Sequence, residues 1–400
     1  MIFNKYRLEE ITDKIGDGIH GTPEYDDNGD FYFVNGNNLV DGDIVFKKDT
    51  KRINEEQYLK NKRDLNKNTL LVSINGTLGN VAKYNNEKII LGKSACYINV
   101  KDSYNVDYVY FVFESPEFKK YLQYGANGTT IKNVPLSAIR NYEISIPSKK
   151  NQDIIVKILK SIEDKIKLNN EINNNLLQLC RYKYDELNKK YNEWDLVKIN
   201  DLNLEVTDYV ANGSFKSLAD NVTLYDEKEY ALYVRNTDLK VNFTDKRKYV
   251  DKKSYEFLRK SKLKGGELII SNVGDVGSVF ICPHLDMPMT LGSNVIMLYE
   301  TDNHYYNYFL YFFFTSVYGQ YMIDGITGGS AQPKFNKTDF RNMEIRIPAL
   351  DELDKFNAEI DPIYKKYELN IKENGKLSEL RETILPKLMN GEIDLDNIEI

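Results

Sequence analysis

The sequence predicts an α+β chain made of two tandem β-rich domains, each followed by a long α-helix that pairs with its counterpart as a coiled coil. Three observations carry that reading. The chain is written twice, each copy is a series of short strands broken by glycine turns, and each copy closes on a segment whose apolar period becomes helical. Residues 1–150 and 193–350 hold the β-rich domains, and 151–192 and 351–400 the helices.

The duplication is visible in three blocks. Residues 268–279, LIISNVGDVGSV, repeat residues 70–81, LLVSINGTLGNV, with Gly76 falling on Gly274 and Gly79 on Gly277. Residues 329–348, GSAQPKFNKTDFRNMEIRIP, repeat residues 128–147, GTTIKNVPLSAIRNYEISIP, with Arg140-Asn141 on Arg341-Asn342. Upstream, Tyr6, Leu8 and Ile11 align with Trp194, Leu196 and Ile199. The offset stays at about 200 residues and the order is kept, as a tandem duplication requires.

Each copy reads in the same order. Asp30–Val34 and Tyr230–Val234 are aromatic and β-branched runs bounded by turn residues, hence short strands. Val106–Tyr121 and Tyr305–Met322 follow as aromatic helices. The window Asn303–Ile323 carries no formal charge and is long enough to cross a bilayer. Its Asn, His, Gln, Ser, Thr and Tyr would be expensive in hydrocarbon, so it reads as a soluble-domain helix. No membrane partner is expected.

From Gln152 the period is helical. Ile155, Ile158, Ile162, Ile172, Leu176 and Leu179 take alternating three- and four-residue steps, with Lys165 and Asn169 filling the remaining seam positions and Leu159 and Ile166 widening the stripe. In the second copy Ile360, Ile363, Tyr367, Ile371, Asn374, Leu377, Ile384 and Leu388 share one face, without a clean heptad before Ile360. Pro386 is expected to disturb the last turn and Gly391 to end the helix. The pairing residues are read as Ile155, Ile158, Ile162, Asn169, Ile172, Leu176 and Leu179 with Ile363, Tyr367, Ile371, Leu377 and Ile384.

Composition narrows the chemistry. Four hundred residues with 42% hydrophobic and 28% charged content suit a globular chain of two or more domains. The three cysteines, Cys96, Cys180 and Cys282, are widely spaced and suit a reducing, cytoplasmic setting. The opening decapeptide MIFNKYRLEE lacks the apolar stretch of a signal peptide. Gly92-Lys93-Ser94 is not a phosphate loop, because Glu87 stands where the loop needs its first glycine and the second copy has no lysine there. The three histidines, His20, His284 and His304, are scattered, and no metal ligand set or nucleophile elbow is present. His20 reads as a turn residue among Gly, Pro and Asp. The Asp/Asn-Pro-Pro-aromatic tetrapeptide of amino-group methyltransferases is also absent. No catalytic residue and no metal is assigned.

Basic residues cluster once per copy, upstream of each glycine turn. The first cluster is Lys47, Lys48, Lys51, Arg52, Lys60, Lys62, Arg63 and Lys67; the second is Lys246, Arg247, Lys248, Lys252, Lys253, Arg259, Lys260, Lys262 and Lys264. The formal charge of −6 excludes a uniformly basic coat but not such patches, which displace counterions from phosphates. A solvated face is the alternative reading of any single charge run.

With those features in hand, residues 152–179, QDIIVKILKSIEDKIKLNNEINNNLLQL, and 380–393, LRETILPKLMNGEI, resemble the two conserved helical regions of type I restriction-modification specificity subunits. Residues 16–39, GDGIHGTPEYDDNGDFYFVNGNNL, resemble the opening of their target recognition domains. The resemblance covers the whole chain in family order. It implies a non-catalytic reader of double-stranded DNA, each recognition domain binding one half of a bipartite target. It also implies that the two helices pair antiparallel, set the spacer, and dock two methyltransferase subunits. S-adenosylmethionine would belong to those subunits, and ATP with Mg to a motor-nuclease subunit that joins for restriction. Helices of about 35 residues at 1.5 Å each would be roughly 50 Å long, on the order of 15 base pairs of spacing.

Phosphate contacts are assigned to the basic clusters. Groove contacts are assigned to the loops carrying Thr129, Thr130 and Lys132 in the first copy and Ser330, Gln332 and Lys334 in the second. Gln332 has the side chain to pair with adenine in a bidentate bond, or it is a surface turn residue. Two other classes compete: a structural coiled-coil adaptor that binds protein or glycan through its β-rich domains, and an enzyme with an unrecognised site.

Overall fold

The computed structural model describes residues 2–128, 132–243, 246–300, 306–329 and 331–395. They divide into two compact units, Met1–Asp164 with Glu379–Ile400, and Lys165–Ser378.

In the first unit the strand Thr69–Ser73 is buried along its whole length and lies inside a four-stranded antiparallel sheet. Its neighbours are Ala95–Val100 and Val81–Lys83, and Thr12–Asp17 forms the far edge. Period-two alternation sorts its side chains between two cores. Leu70, Val72, Cys96 and Ile98 face one core, shared with Val109 and Phe113 of the helix Val106–Glu114. Leu71, Ala82 and Tyr97 face the other, shared with Val34 and Leu91 of a three-stranded sheet. In that sheet Phe31–Val34 is antiparallel to Arg52–Ile53 and parallel to Ile89–Leu91. The chain ends of the domain are joined by the antiparallel pair Phe3–Arg7 and Glu143–Pro147.

The second unit repeats this plan. Leu268–Ser271 lies between Val295–Tyr299 and Val279–Ile281, with Glu205–Asp208 at the edge, and Asp195–Lys198 pairs with Glu344–Ile347. The small sheet has five strands, because Leu224–Tyr225 and Lys262–Leu263 flank the shared three.

Two expectations about the β-rich domains need correction. Each aromatic segment is two helices rather than one: Val106–Glu114 then Pro116–Gly125, and Asn307–Phe314 then Val317–Ile326. The break falls at Ser115 and Ser316, whose hydroxyls accept from the N–H groups of Phe118 and Gly319 and so start a new helix. The upstream blocks also align three residues away from the register that sequence similarity suggests. Leu8 N donates to Tyr142 O at 2.9 Å and Ile199 N donates to Met343 O at 3.0 Å, so Leu8 corresponds to Ile199. Leu196, the residue first aligned with Leu8, is exposed. An x-Leu-x-x-Ile spacing fits either register, and only the pairing with a strand late in each copy decides.

The long helices are Lys149–Asn188 and Leu350–Met389, 40 residues each. In the first unit Ile155 and Leu159 of one, and Leu385, Leu388 and Met389 of the other, enter the same core. The second helix runs through Pro386, where Asn390 N still donates to Pro386 O at 2.9 Å, and Gly391 follows at φ +73°. Pro386 removes one N–H, but burial of its neighbours holds the turn. Gly391 at positive φ then ends it.

In the second unit the helix segments 165–188 and 350–378 are tied by asparagines. Asn169 donates to Asn374 Oδ1 at 2.8 Å and to Glu373 at 2.8 Å. Asn370 donates to Asn173 Oδ1 at 2.8 Å, and Asn374 donates to Asn170 at 2.9 Å. Lys183–Glu359 at 2.8 Å and Lys190–Glu352 at 2.7 Å continue the series, the numbers falling on one helix as they rise on the other. Ile162 and Asn169 are buried, and Ile158, Ile172 and Leu176 are half-buried. Leu179 is 43% exposed, and the buried positions are Asn173, Cys180 and Tyr184. Following the aliphatic residues placed the three-residue step after Asn169. The four-residue step to Asn173 occurs instead, because its amide has a partner. Ile363, Tyr367, Ile371, Leu377 and Ile384 are half-buried, and Leu353, Phe356 and Ile360 extend the buried face to the helix start.

Candidate nucleic-acid interface

The two repeated motifs, more than fifty residues apart in each copy, meet in space. Thr69–Ser73 runs into a turn with Gly76 at φ +76° and Gly79 at φ +82°, closed by Gly79 N donating to Ser73 O at 2.9 Å. In the second unit Gly274 and Gly277 take φ +78° and +89°, and Gly277 N donates to Ser271 O at 3.0 Å. A Cβ on Gly76 or Gly274 would meet open space, so glycine is needed there for backbone conformation.

The far motif comes back against this turn. Gly76 N donates to Lys132 O at 3.1 Å and Val134 N to Ile74 O at 2.8 Å; Gly274 N donates to Pro333 O at 2.9 Å and Phe335 N to Asn272 O at 3.1 Å. Antiparallel bridges join Asn75 to Asn133 and Val273 to Lys334, and the far loop closes on itself through Asn127–Asn133 and Gly328–Lys334. The backbone plan is the same in both units, while the exposed side chains differ. The first unit exposes Thr77, Lys132 and Asn133 beside a half-buried Asn75; the second exposes Asp275, Gln332, Pro333 and Lys334 beside a half-buried Val273. Thr129, Thr130 and Ser330 lie outside the described residues.

The other repeated signals are braces for this arrangement. Arg140 donates to Ile15 O at 3.1 Å, and Arg341 donates to Val206 O. Both carbonyls belong to the edge strand of the four-stranded sheet. Ser94 of the Gly-Lys-Ser sequence donates to Asn35 and accepts from Gly36 N, each at 2.9 Å, tying the small sheet to the turn strand. Asp275 accepts from Lys240 at 2.6 Å, Asn236 at 2.9 Å and Ser278 at 2.5 Å, which holds its carboxyl down to about 2.

The basic clusters are partly committed elsewhere. Lys48, Lys51, Arg52, Lys60 and Lys62 are exposed, as are Lys246, Lys252, Lys253, Arg259 and Lys260. Lys47 is exposed as well and donates to Asn37 O at 2.7 Å. Arg52 lies 5.0 Å over the Tyr32 ring, Lys51 5.7 Å over Tyr25 and Lys252 5.9 Å over Tyr230. Arg63 and Arg247 are half-buried and donate to the carbonyls of Asp17 and Phe243, and Lys248 is paired with Asp226 at 2.6 Å. Those three are positioned to hold their own domains together. The sequence reading missed Asn75, Asn133 and Val273, which carry no composition signal and stand out only once the bridge is seen.

Among the described residues no cluster of His, Cys, Asp or Glu could hold a metal ion. No described helix is long and apolar enough to cross a membrane.

The fold is thus one two-sheet domain plan with its loop cluster built twice, carrying different side chains on each copy. Comparison with known proteins gives the family. The model of the type I restriction modification DNA specificity domain matches residues 3–178 and again 191–381, and the chain belongs to that family, carrying its domain twice. Its function lies in the DNA sequence specificity of a type I restriction-modification system. The MjaIX specificity subunit of Methanocaldococcus jannaschii, a type I restriction enzyme component, is 23% identical over 365 residues, 83% of this chain and 79% of that protein. The HindI specificity subunit of Haemophilus influenzae is 35% identical over 74 residues, 18% of this chain and 16% of that protein. The solved S subunit of a type I system from M. genitalium shares the fold, with a TM-score of 0.56 at 15% identity over 97% of this chain and 96% of that one.

Proposed function

We propose that each unit reads one half of a bipartite, asymmetric DNA target and that the chain itself catalyses nothing. The observation that carries this reading is the loop cluster built twice on one backbone plan, with different exposed side chains on each copy. One scaffold with two displays is what recognition of two unlike half-sites requires, since base edges are told apart by donor, acceptor and methyl pattern. The exposed lysines and arginines of each unit supply the sequence-independent phosphate contacts.

The long helices, in this reading, pair as an antiparallel coiled coil, fix the number of base pairs between half-sites, and dock two methyltransferase subunits. Forty residues at 1.5 Å give a helix about 60 Å long, longer than the sequence reading assumed. S-adenosylmethionine binds the methyltransferase subunits, and ATP with Mg a motor-nuclease subunit, in the cytoplasm. The test is methylome sequencing of cells carrying this gene with its neighbours, against a deletion of the gene alone. A bipartite methyladenine motif present in the first and lost in the second is expected. An unchanged methylome would sink the reading.

A further inference from the structure

We propose that the single bridge between the glycine turn and the far loop is a specificity-determining position, reading adenine in the first unit and guanine beside thymine in the second. The inference rests on the reading that each unit contacts one half-site, and it adds which residues choose the base. The bridge occupies the same place twice. Asn75 pairs with Asn133, and Val273 pairs with Lys334, each pair anchored by the N–H of the following glycine. Paired residues in an antiparallel bridge put their side chains on the same face. Here each pair includes an exposed member, Asn133 or Lys334, and a half-buried one, Asn75 or Val273.

In the first unit Asn75 Nδ2 donates to Asn133 Oδ1 at 3.3 Å. This bond uses one amide hydrogen and one carbonyl oxygen, and leaves the Asn75 oxygen as acceptor and the Asn133 N–H₂ as donor for a ligand. Reversing which amide donates leaves the same inventory. One acceptor beside one donor is the complement of the adenine major-groove edge, which offers the N6 amino hydrogens and the N7 acceptor. Guanine offers two acceptors, O6 and N7, and would leave the amide oxygen facing another oxygen.

In the second unit the equivalent positions carry an ammonium and a branched apolar side chain. Lys334 has only donors to offer, which suits O6 and N7 of guanine. Val273 has only methyl groups, which suit the C5 methyl of thymine. The two displays are thus of opposite character on one backbone. Gln332, a sequence candidate, lies in the same loop and is exposed, but among the described residues no partner orients its amide as Asn75 orients Asn133.

The experiment is selection of bound duplexes from a randomised pool by the full chain with its partner subunits, for the wild type and three variants. The wild type is expected to select a bipartite motif with a fixed adenine in one half and a fixed guanine in the other. Asn75→Ala with Asn133→Ala is expected to lower the adenine preference at one position about tenfold or more, leaving the other half-site intact. Lys334→Ala is expected to do the same to the guanine, and Lys334→Arg to retain it. A wild type that selects no bipartite motif defeats the half-site reading itself. A bipartite wild type whose adenine and guanine survive these changes overturns the bridge assignment alone. So does a variant that weakens all sequences equally, which would mark a phosphate contact. Should the double alanine variant fail to bind, Asn133→Gln, which keeps the amide, decides the matter: retained adenine supports the assignment and a changed base overturns it.

Discussion

Arg140 and Arg341 were visible in the sequence as a repeated Arg-Asn pair, and their role was not. A basic residue repeated in a DNA-reading chain invites a phosphate assignment, yet each donates to a main-chain carbonyl of the edge strand in its own unit. Replacing Arg341 by Ala is expected to lower stability by about 1.5–3 kcal/mol, the range for a hydrogen bond from a charged donor, measured as a denaturant midpoint. An unchanged midpoint would mean solvent serves that carbonyl equally well. Asp275 is held as a carboxylate. Hydrogen bonds from Lys240, Ser278 and Asn236 depress its carboxyl to about 2, so its contribution is complete above the unfolded value near ~4 and is lost as pH falls toward 2. The group is half exposed, and solvent screening limits the effect to a few tenths of a kcal/mol up to ~1. Asp275→Asn is therefore expected to lower stability at pH 7 by a few tenths of a kcal/mol up to ~1, to flatten part of the fall between pH 4 and 2, and to match wild type near pH 2. A variant with the same acid limb as wild type contradicts the assignment.

Elements were legible where a period repeats and illegible where a polar partner decides the phase. The strands at Asp30–Val34 and the glycine turns follow from local chemistry, and the helical period from Gln152 onward gives a helix whose neighbours are apolar. The phase of its seam after Asn169 does not follow, because sequence alone ranks Ile172 and Leu179 above Asn173. The structure buries Asn173 against Asn370, and Asn370 Oδ1 has no partner among the described residues. Asn173→Ala would leave the Asn370 amide stranded at a cost of about 1–3 kcal/mol, while Asn173→Leu with Asn370→Leu is expected to be near neutral or stabilising. Denaturant midpoints of the four members of this double-mutant cycle measure the coupling. Additive single and double effects would show that the two amides act independently. A buried amide pair of this kind trades stability for register, which matters if helix alignment sets half-site spacing.

At the scale of the whole chain the duplication was the most legible feature, since it needs only self-comparison. Its details were not all recoverable: the N-terminal blocks align three residues from where sequence placed them, because strand pairing to Glu143–Pro147 and Glu344–Ile347 fixes the register. The convergence of the glycine turn with the far loop was equally invisible, since nothing local in either segment names its partner. If the exposed lysines and arginines of each unit contact phosphates as proposed, binding should weaken steeply with salt, log K falling with log salt by about 0.9 per phosphate neutralised. An adaptor for protein or glycan would lack that slope. The most direct test of two separate readers is hydroxyl-radical footprinting of the complete complex on its target duplex. Two protected tracts with an unprotected stretch between them are expected, and Asn75→Ala with Asn133→Ala should weaken one tract while sparing the other. A single continuous footprint, or equal loss from both tracts, would contradict the claim that the two units read the DNA independently.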